Sequence, residues 1–151
     1  DDVLKALKMQ FSYIFADFRY PGVPKVNVNL IDQDDFFIDT IKITPIKAFH
    51  YKLPVHGFRI EDFVYLTDVS NIPEKEKEKM KNADILVLDS LRKEPHMSHL
   101  CLQQSIDLID ELKPKKSYLI HISHLMGLHD QVQSELPPNI FLSYDGLKVK
   151  L

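Results

Sequence analysis

Apolar runs that close on a charged or hydroxyl side chain recur along the chain. Phe63-Val64-Tyr65-Leu66-Thr67-Asp68, Ile85-Leu86-Val87-Leu88-Asp89-Ser90 and Tyr118-Leu119-Ile120-His121 each read as a short buried strand with a polar end. Open sheets gather functional side chains at strand ends. The pattern therefore predicts Asp68, Asp89 and His121 along one edge. A second histidine, His124, follows His121 by three residues.

Elsewhere the period changes. Val3, Leu4, Leu7 and Phe11 share one helical face, predicting a helix over 1–15 capped by Asp1 or Asp2. Tyr20-Pro21-Gly22-Val23-Pro24 breaks the chain. Val26, Val28 and Leu30 alternate with polar residues and predict a strand over 25–31. After a turn at 32–35, residues 36–46 are strand-rich, and the strand continues past Pro45 to His50. Residues 57–60 and 63–66 predict a hairpin around Glu61-Asp62. Pro73 opens a charged, solvated helix reaching Met80. Ser98 is expected to cap a helix that runs to about Leu112, with Leu102, Ile106, Ile109 and Leu112 as its buried stripe and Pro114 as its stop. A short helix is predicted over 129–134. A terminal hairpin joins 140–143 to 147–151 around Asp145-Gly146. A β-rich first half, then strand–helix–strand, predicts one α/β (α+β) domain over 1–151 with helices packed on a mixed sheet.

Composition narrows the function classes. The chain has 151 residues, 44% hydrophobic and 27% charged, as an ordinary globular domain does. A net charge of −3 offers no field for a large nucleic acid, which is not an expected partner. No apolar run approaches the ~20 residues that cross a bilayer, so no membrane partner is expected. Cys101 has no second cysteine to pair with and reads as helix packing. A cytoplasmic location is the expectation.

Histidine supplies the candidate chemistry. Of seven, His50, His96, His99, His121 and His124 fall at or beside predicted element ends. Imidazole with carboxylate suits zinc, manganese or iron. A lone histidine is more often structural, so the metal reading rests on convergence with Asp68. HExxH, CxxC, GxSxG and the phosphate-loop pattern are all missing from the sequence.

Four segments then carry a resemblance. They are His50 followed by Gly57-Phe58-Arg59; Tyr65-Leu66-Thr67-Asp68; Pro95-His96-Met97-Ser98-His99-Leu100; and His121-Ile122-Ser123-His124 followed by Leu136-Pro137 and Tyr144-Asp145-Gly146-Leu147. In this order, over most of residues 41–151, they resemble the C-terminal portion of the metallo-β-lactamase-fold hydrolases. The nearest likeness is to the phosphonate-pathway cyclic phosphodiesterases and, further off, the tRNA 3′-end processing nucleases. The resemblance implies an αββα sandwich, incomplete at its N-terminus because the family's HxHxDH motif does not occur here. It implies two divalent ions, zinc or manganese, in the intact protein, and few or none in this chain alone, which would be inactive. By motif, His50 completes the first metal, Asp68 bridges both, His121 serves the second, and His99 assists the leaving group. His96 competes with His99 for that role, and His124 is a neighbour that orients a ligand. The implied reaction is phosphodiester hydrolysis by a hydroxide shared between two metals, on a small substrate, with homodimerisation as a family expectation. Two alternatives stand beside it: a non-catalytic α/β interaction module or degenerate family member, and a hydrolase of another bond such as a lactone or thioester.

Overall fold

The computed structural model describes residues 2–150. The chain divides into two compact units, one up to Leu30 and one from Ile31 onward. The first holds α1 (Asp2–Gln10) and α2 (Ser12–Phe15), separated by Phe11 at φ −116°, ψ 42°. The single helix expected over 1–15 is therefore two, and the expected cap Asp1 lies outside the described residues. Neither helix buries a residue, and helices this short are marginal without a packed face. The strand expected over 25–31 is not formed. Alternation marks a strand only where a ladder partner exists, and among the described residues none pairs with this segment.

The second unit is built on one seven-stranded sheet in simple chain order. Its strands are β1 (Phe36–Ile38), β2 (Ile41–His50), β3 (Leu53–Ile60), β4 (Phe63–Leu66), β5 (Ile85–Asp89), β6 (Lys116–Ile120) and β7 (Ile140–Leu142). The first four form antiparallel hairpins, and β4 to β7 are parallel. Parallel neighbours need crossovers. These carry α3 (Glu74–Lys77), α4 (Leu102–Leu112) and α5 (His129–Glu135). The core joins Ile46, Ala48, Val64, Leu66, Leu86, Leu88 and Leu119 of the sheet to Met80, Ile109, Leu112 and Val132. The opposite face is less covered. Tyr65, Val87, Tyr118 and Phe141 sit in register across β4 to β7, half-buried or exposed, although the apolar run of β5 predicted burial on both faces.

Pro45 lies inside β2 without breaking it. β1 pairs only with Ile41–Ile43, so β2 has no partner strand on that side of the proline and the missing N–H breaks no ladder bond there. Further along the same edge, Glu76 Oε2 accepts the Lys47 N–H at 3.0 Å. Glu76 is therefore buried, and the charged stretch after Pro73 is neither fully solvated nor a full helix. The expected hairpin around Glu61-Asp62 is present, with Ile60 paired to Phe63 and Glu61 at φ 51°.

Two boundaries differ in ways that affect function. Ser98 does not cap α4: the helix starts at Leu102, with Cys101 as its cap residue. Leu100 instead bonds in extended fashion, its N–H to the Val69 carbonyl (2.8 Å) and its carbonyl to the Leu91 N–H (2.9 Å). His99 is consequently in a loop ahead of the helix. The terminal hairpin is also not formed. Of the two central turn residues only Gly146 has positive φ, whereas the tight hairpin turn favoured by Asp-Gly needs it at both. β7 pairs with β6, residues 147–150 run without a ladder, and Leu151 lies outside the described residues.

Candidate metal centre

One edge of the sheet collects the candidate residues. His50 is the last residue of β2, Asp89 the last of β5, and His121 the first after β6. Asp68 lies two residues beyond β4, and His99 lies between β5 and α4. β4, β5 and β6 are parallel. β2 is antiparallel to β3, which is antiparallel to β4, so β2 also points the same way. All four strands therefore deliver their C-terminal ends to one edge, where open α/β sheets place ligands.

The backbone is strained at two of these positions. Asp68 has φ 55° and His121 φ 59°, left-handed conformations that a residue with a Cβ adopts at about 1 kcal/mol or more. The bends bring His121 Nδ1 to 3.4 Å from Asp68 Oδ1, and Thr67 Oγ1 donates to that oxygen at 3.0 Å.

Asp89 is the buried anchor. Its Oδ2 accepts the N–H groups of Leu100 (3.2 Å) and Val69 (3.4 Å) and lies 3.2 Å from His99 Nδ1. Burial raises the Asp89 carboxyl above the usual carboxylate range, against the opposing pull of His99 and the two backbone donors. With Nδ1 donating to Asp89, the neutral His99 ring presents Nε2 as an acceptor. That atom is 3.1 Å from His50 Nε2. Two imidazole nitrogens so close share one proton or face a common cation. The His99 ring stacks on His121 at 4.6 Å between centroids, and His50 meets it edge-on at 4.6 Å.

The donor set fits a divalent metal. One ligand atom from each of Asp68, Asp89, His99 and His121 lies within 4.8 Å of the others. Imidazoles with carboxylates are the ligands of zinc-like ions. Asp89 Oδ1, buried and without a hydrogen-bond partner, leaves a lone pair to be satisfied.

The structure thus brings His50, Asp68, His99 and His121 together. His96 flanks them, its ring 5.3 Å from His99 and its Nδ1 3.2 Å from Ser98 Oγ. Partial burial, and then the charges of Arg92, His99 and His50, hold His96 below the ordinary histidine range. His124 is exposed and stands outside the group. The role of Asp89 was missed from sequence. It was legible as a strand-end carboxylate, but its pairing with a histidine ten residues later had no local signal.

Comparison with known proteins agrees with this geometry. A family described as a β-lactamase superfamily domain matches residues 1–122. The chain belongs to the metallo-β-lactamase superfamily. The superfamily is mostly hydrolytic and typically binds divalent metals such as zinc. A solved diphosphatase of the PhnP family superposes with a TM-score of 0.88 at 32% identity, over 100% of this chain and 56% of that one. The metallo-β-lactamase-fold protein YhfI of Bacillus subtilis shares the fold at TM-score 0.71 and 19% identity, over 92% of this chain and 59% of its own. The short form of human tRNase Z shares it at TM-score 0.57 and 18% identity, over 74% and 44%. Among curated proteins, one named octanoyltransferase from Porphyromonas gingivalis is 33% identical over 149 residues, which is 97% of this chain and 30% of that protein. The chain thus spans about a third of the curated relative and somewhat over half of the diphosphatase. No helix among the described residues is long and apolar enough to cross a membrane.

Proposed function

We propose that this chain supplies part of the active site of a metal-dependent phosphodiesterase acting on a small substrate. The observation that carries the reading is the buried Asp89–His99 pair set against His50, His121 and Asp68 at one sheet edge. Divalent cations, zinc or manganese, held with the help of His50, Asp68 and His121 would neutralise phosphoryl oxygens and acidify water. Asp68 suits a bridging position because a carboxylate offers two oxygens and a charge. Asp89 holds the Nδ1–H of His99 and steadies its imidazolium form, whose Nε2 proton would pass to the departing oxygen and leave the neutral ring. Ser98 was expected to cap the helix, which would have put His99 in its first turn; with α4 starting at Leu102, the partner of His99 is Asp89 instead. The similarity to a PhnP-family diphosphatase supports phosphorus chemistry, and the net charge of −3 favours a small substrate over a nucleic acid.

The test is made on the full-length, metal-loaded protein. Asp68→Ala should lose bound metal by elemental analysis. His99→Ala should retain most of it and lose about 100-fold or more in hydrolysis of a chromogenic phosphodiester. Equal loss of metal in both variants would make His99 a ligand and overturn its assignment. A metal-replete protein inactive on phosphodiesters would overturn the reaction.

One observation favours a second reading, hydrolysis of an acyl thioester: the curated relative is named an octanoyltransferase. Parallel assays with an octanoyl thioester and a phosphodiester separate the two.

A further inference from the structure

Neighbouring side chains in a strand point to opposite faces of the sheet, so a hydroxyl at one position does not reach the carboxylate at the next. Thr67 and Asp68 are an exception. Thr67 Oγ1 donates to Asp68 Oδ1 at 3.0 Å. The bond is possible because β4 ends at Leu66 and Asp68 turns into the left-handed region at φ 55°. The same bend carries the carboxylate to the edge where His121 Nδ1 approaches that oxygen at 3.4 Å.

The bend aims Asp68 but does not hold it. Its side chain is 49% exposed, and the terminal torsion of an aspartate is soft, so the backbone leaves the direction of the two oxygens open. Among the described residues, Thr67 gives Asp68 its one side-chain hydrogen bond. Threonine suits that task. Its branched Cβ restricts χ1, so the hydroxyl stands in place before any ion arrives. A hydroxyl has one hydrogen to donate, which occupies one lone pair of Oδ1 and leaves the other pairs of the carboxylate to cations.

We infer that Thr67 is a positioning residue of the metal centre: its hydroxyl holds the Asp68 carboxylate in place for a divalent ion, and so sets how tightly that ion is bound. The residue acts through Asp68 and not on the substrate. The inference rests on the proposed metal centre, whatever bond is hydrolysed there.

The experiment uses the full-length protein and its Thr67→Val, Thr67→Ala and Thr67→Ser variants. Valine keeps the branched shape without the hydroxyl, and serine keeps the hydroxyl without the branch. Each protein is stripped of metal, and its affinity for zinc and, in parallel, manganese is measured by competition with a chelating dye, with no turnover involved. Thr67→Val and Thr67→Ala should bind the ion about 10–100-fold more weakly than wild type, the usual worth of a group that orients a ligand. Thr67→Ser should recover most of that loss. The stripped valine and serine variants should melt at similar temperatures. If the valine variant does not fold, alanine against serine makes the same comparison. Affinity in a folded Thr67→Val protein equal to wild type or tighter overturns the inference alone, and the metal centre stands without it. Equal losses in the valine and serine variants trace the effect to packing and also overturn it. A wild type that binds neither ion overturns the metal centre, and this inference with it.

Discussion

His99 Nδ1 lies 3.2 Å from Oδ2 of the fully buried Asp89, and the same oxygen takes the Leu100 and Val69 N–H groups. One carboxylate thus holds together the end of β5, the approach to α4 and the orientation of a candidate catalytic histidine.

Replacing Asp89 separates these roles. Asp89→Ala strands the Val69 N–H and His99 Nδ1, while the Leu100 N–H keeps the Val69 carbonyl, and it should destabilise the domain by about 2–4 kcal/mol, measured by urea unfolding. Asp89→Asn keeps the shape but no longer fixes the His99 tautomer. It should lower kcat about 10–100-fold, the usual loss when the partner of a working histidine is changed. Wild-type turnover in a folded Asp89→Asn protein would reduce the pair to architecture.

Asp68 and His121 occupy positive φ, so glycine should fit both positions better than alanine does. Asp68→Gly and His121→Gly should each be about 1 kcal/mol more stable than the matching alanine variant. All four should bind less metal. Thermal melts with elemental analysis check both halves, and alanine variants as stable as the glycine ones would show the backbone is unstrained there.

Gly57 is set by crowding. A Cβ on it would stand 2.6 Å from Leu66 Cδ1 and 2.8 Å from the Tyr65 carbonyl oxygen. A backbone atom cannot step aside as a side-chain end can, so Gly57→Ala should destabilise by about 1–3 kcal/mol. An unchanged melting temperature would mean that β3 and β4 separate readily.

Glu76 should make stability pH-dependent. Burial pushes its carboxyl up, but Lys79 Nζ at 2.8 Å, the Lys47 N–H and the nearby lysine charges outweigh that and leave it below the ordinary range. A carboxyl lowered in the fold stabilises above its unfolded value, about 4.3, and loses that contribution as pH falls through the folded value. Acid titration of unfolding free energy should show a decline below about pH 4.3 that is smaller in Glu76→Gln. Parallel curves for the two proteins would remove Glu76 from the acid response.

Much of the fold is local in origin and was legible. The runs ending in Asp68, Asp89 and His121, the hairpin at Glu61-Asp62 and the stripe of α4 are written in period and turn chemistry. The alternation at 25–31 and the Asp-Gly turn misled because each needs a partner strand, and pairing is a property of the whole sheet.

By itself the sequence determined which residues end strands and which side chains can bind metal or move protons. Only the tertiary structure decided that Asp89, not a helix N-terminus, faces His99, and that Tyr144 and Asp145 border the same edge as His121. The physical reason is distance along the chain. Ten residues separate Asp89 from His99 and 53 separate Asp68 from His121, and such contacts arise only when parallel strands align their ends.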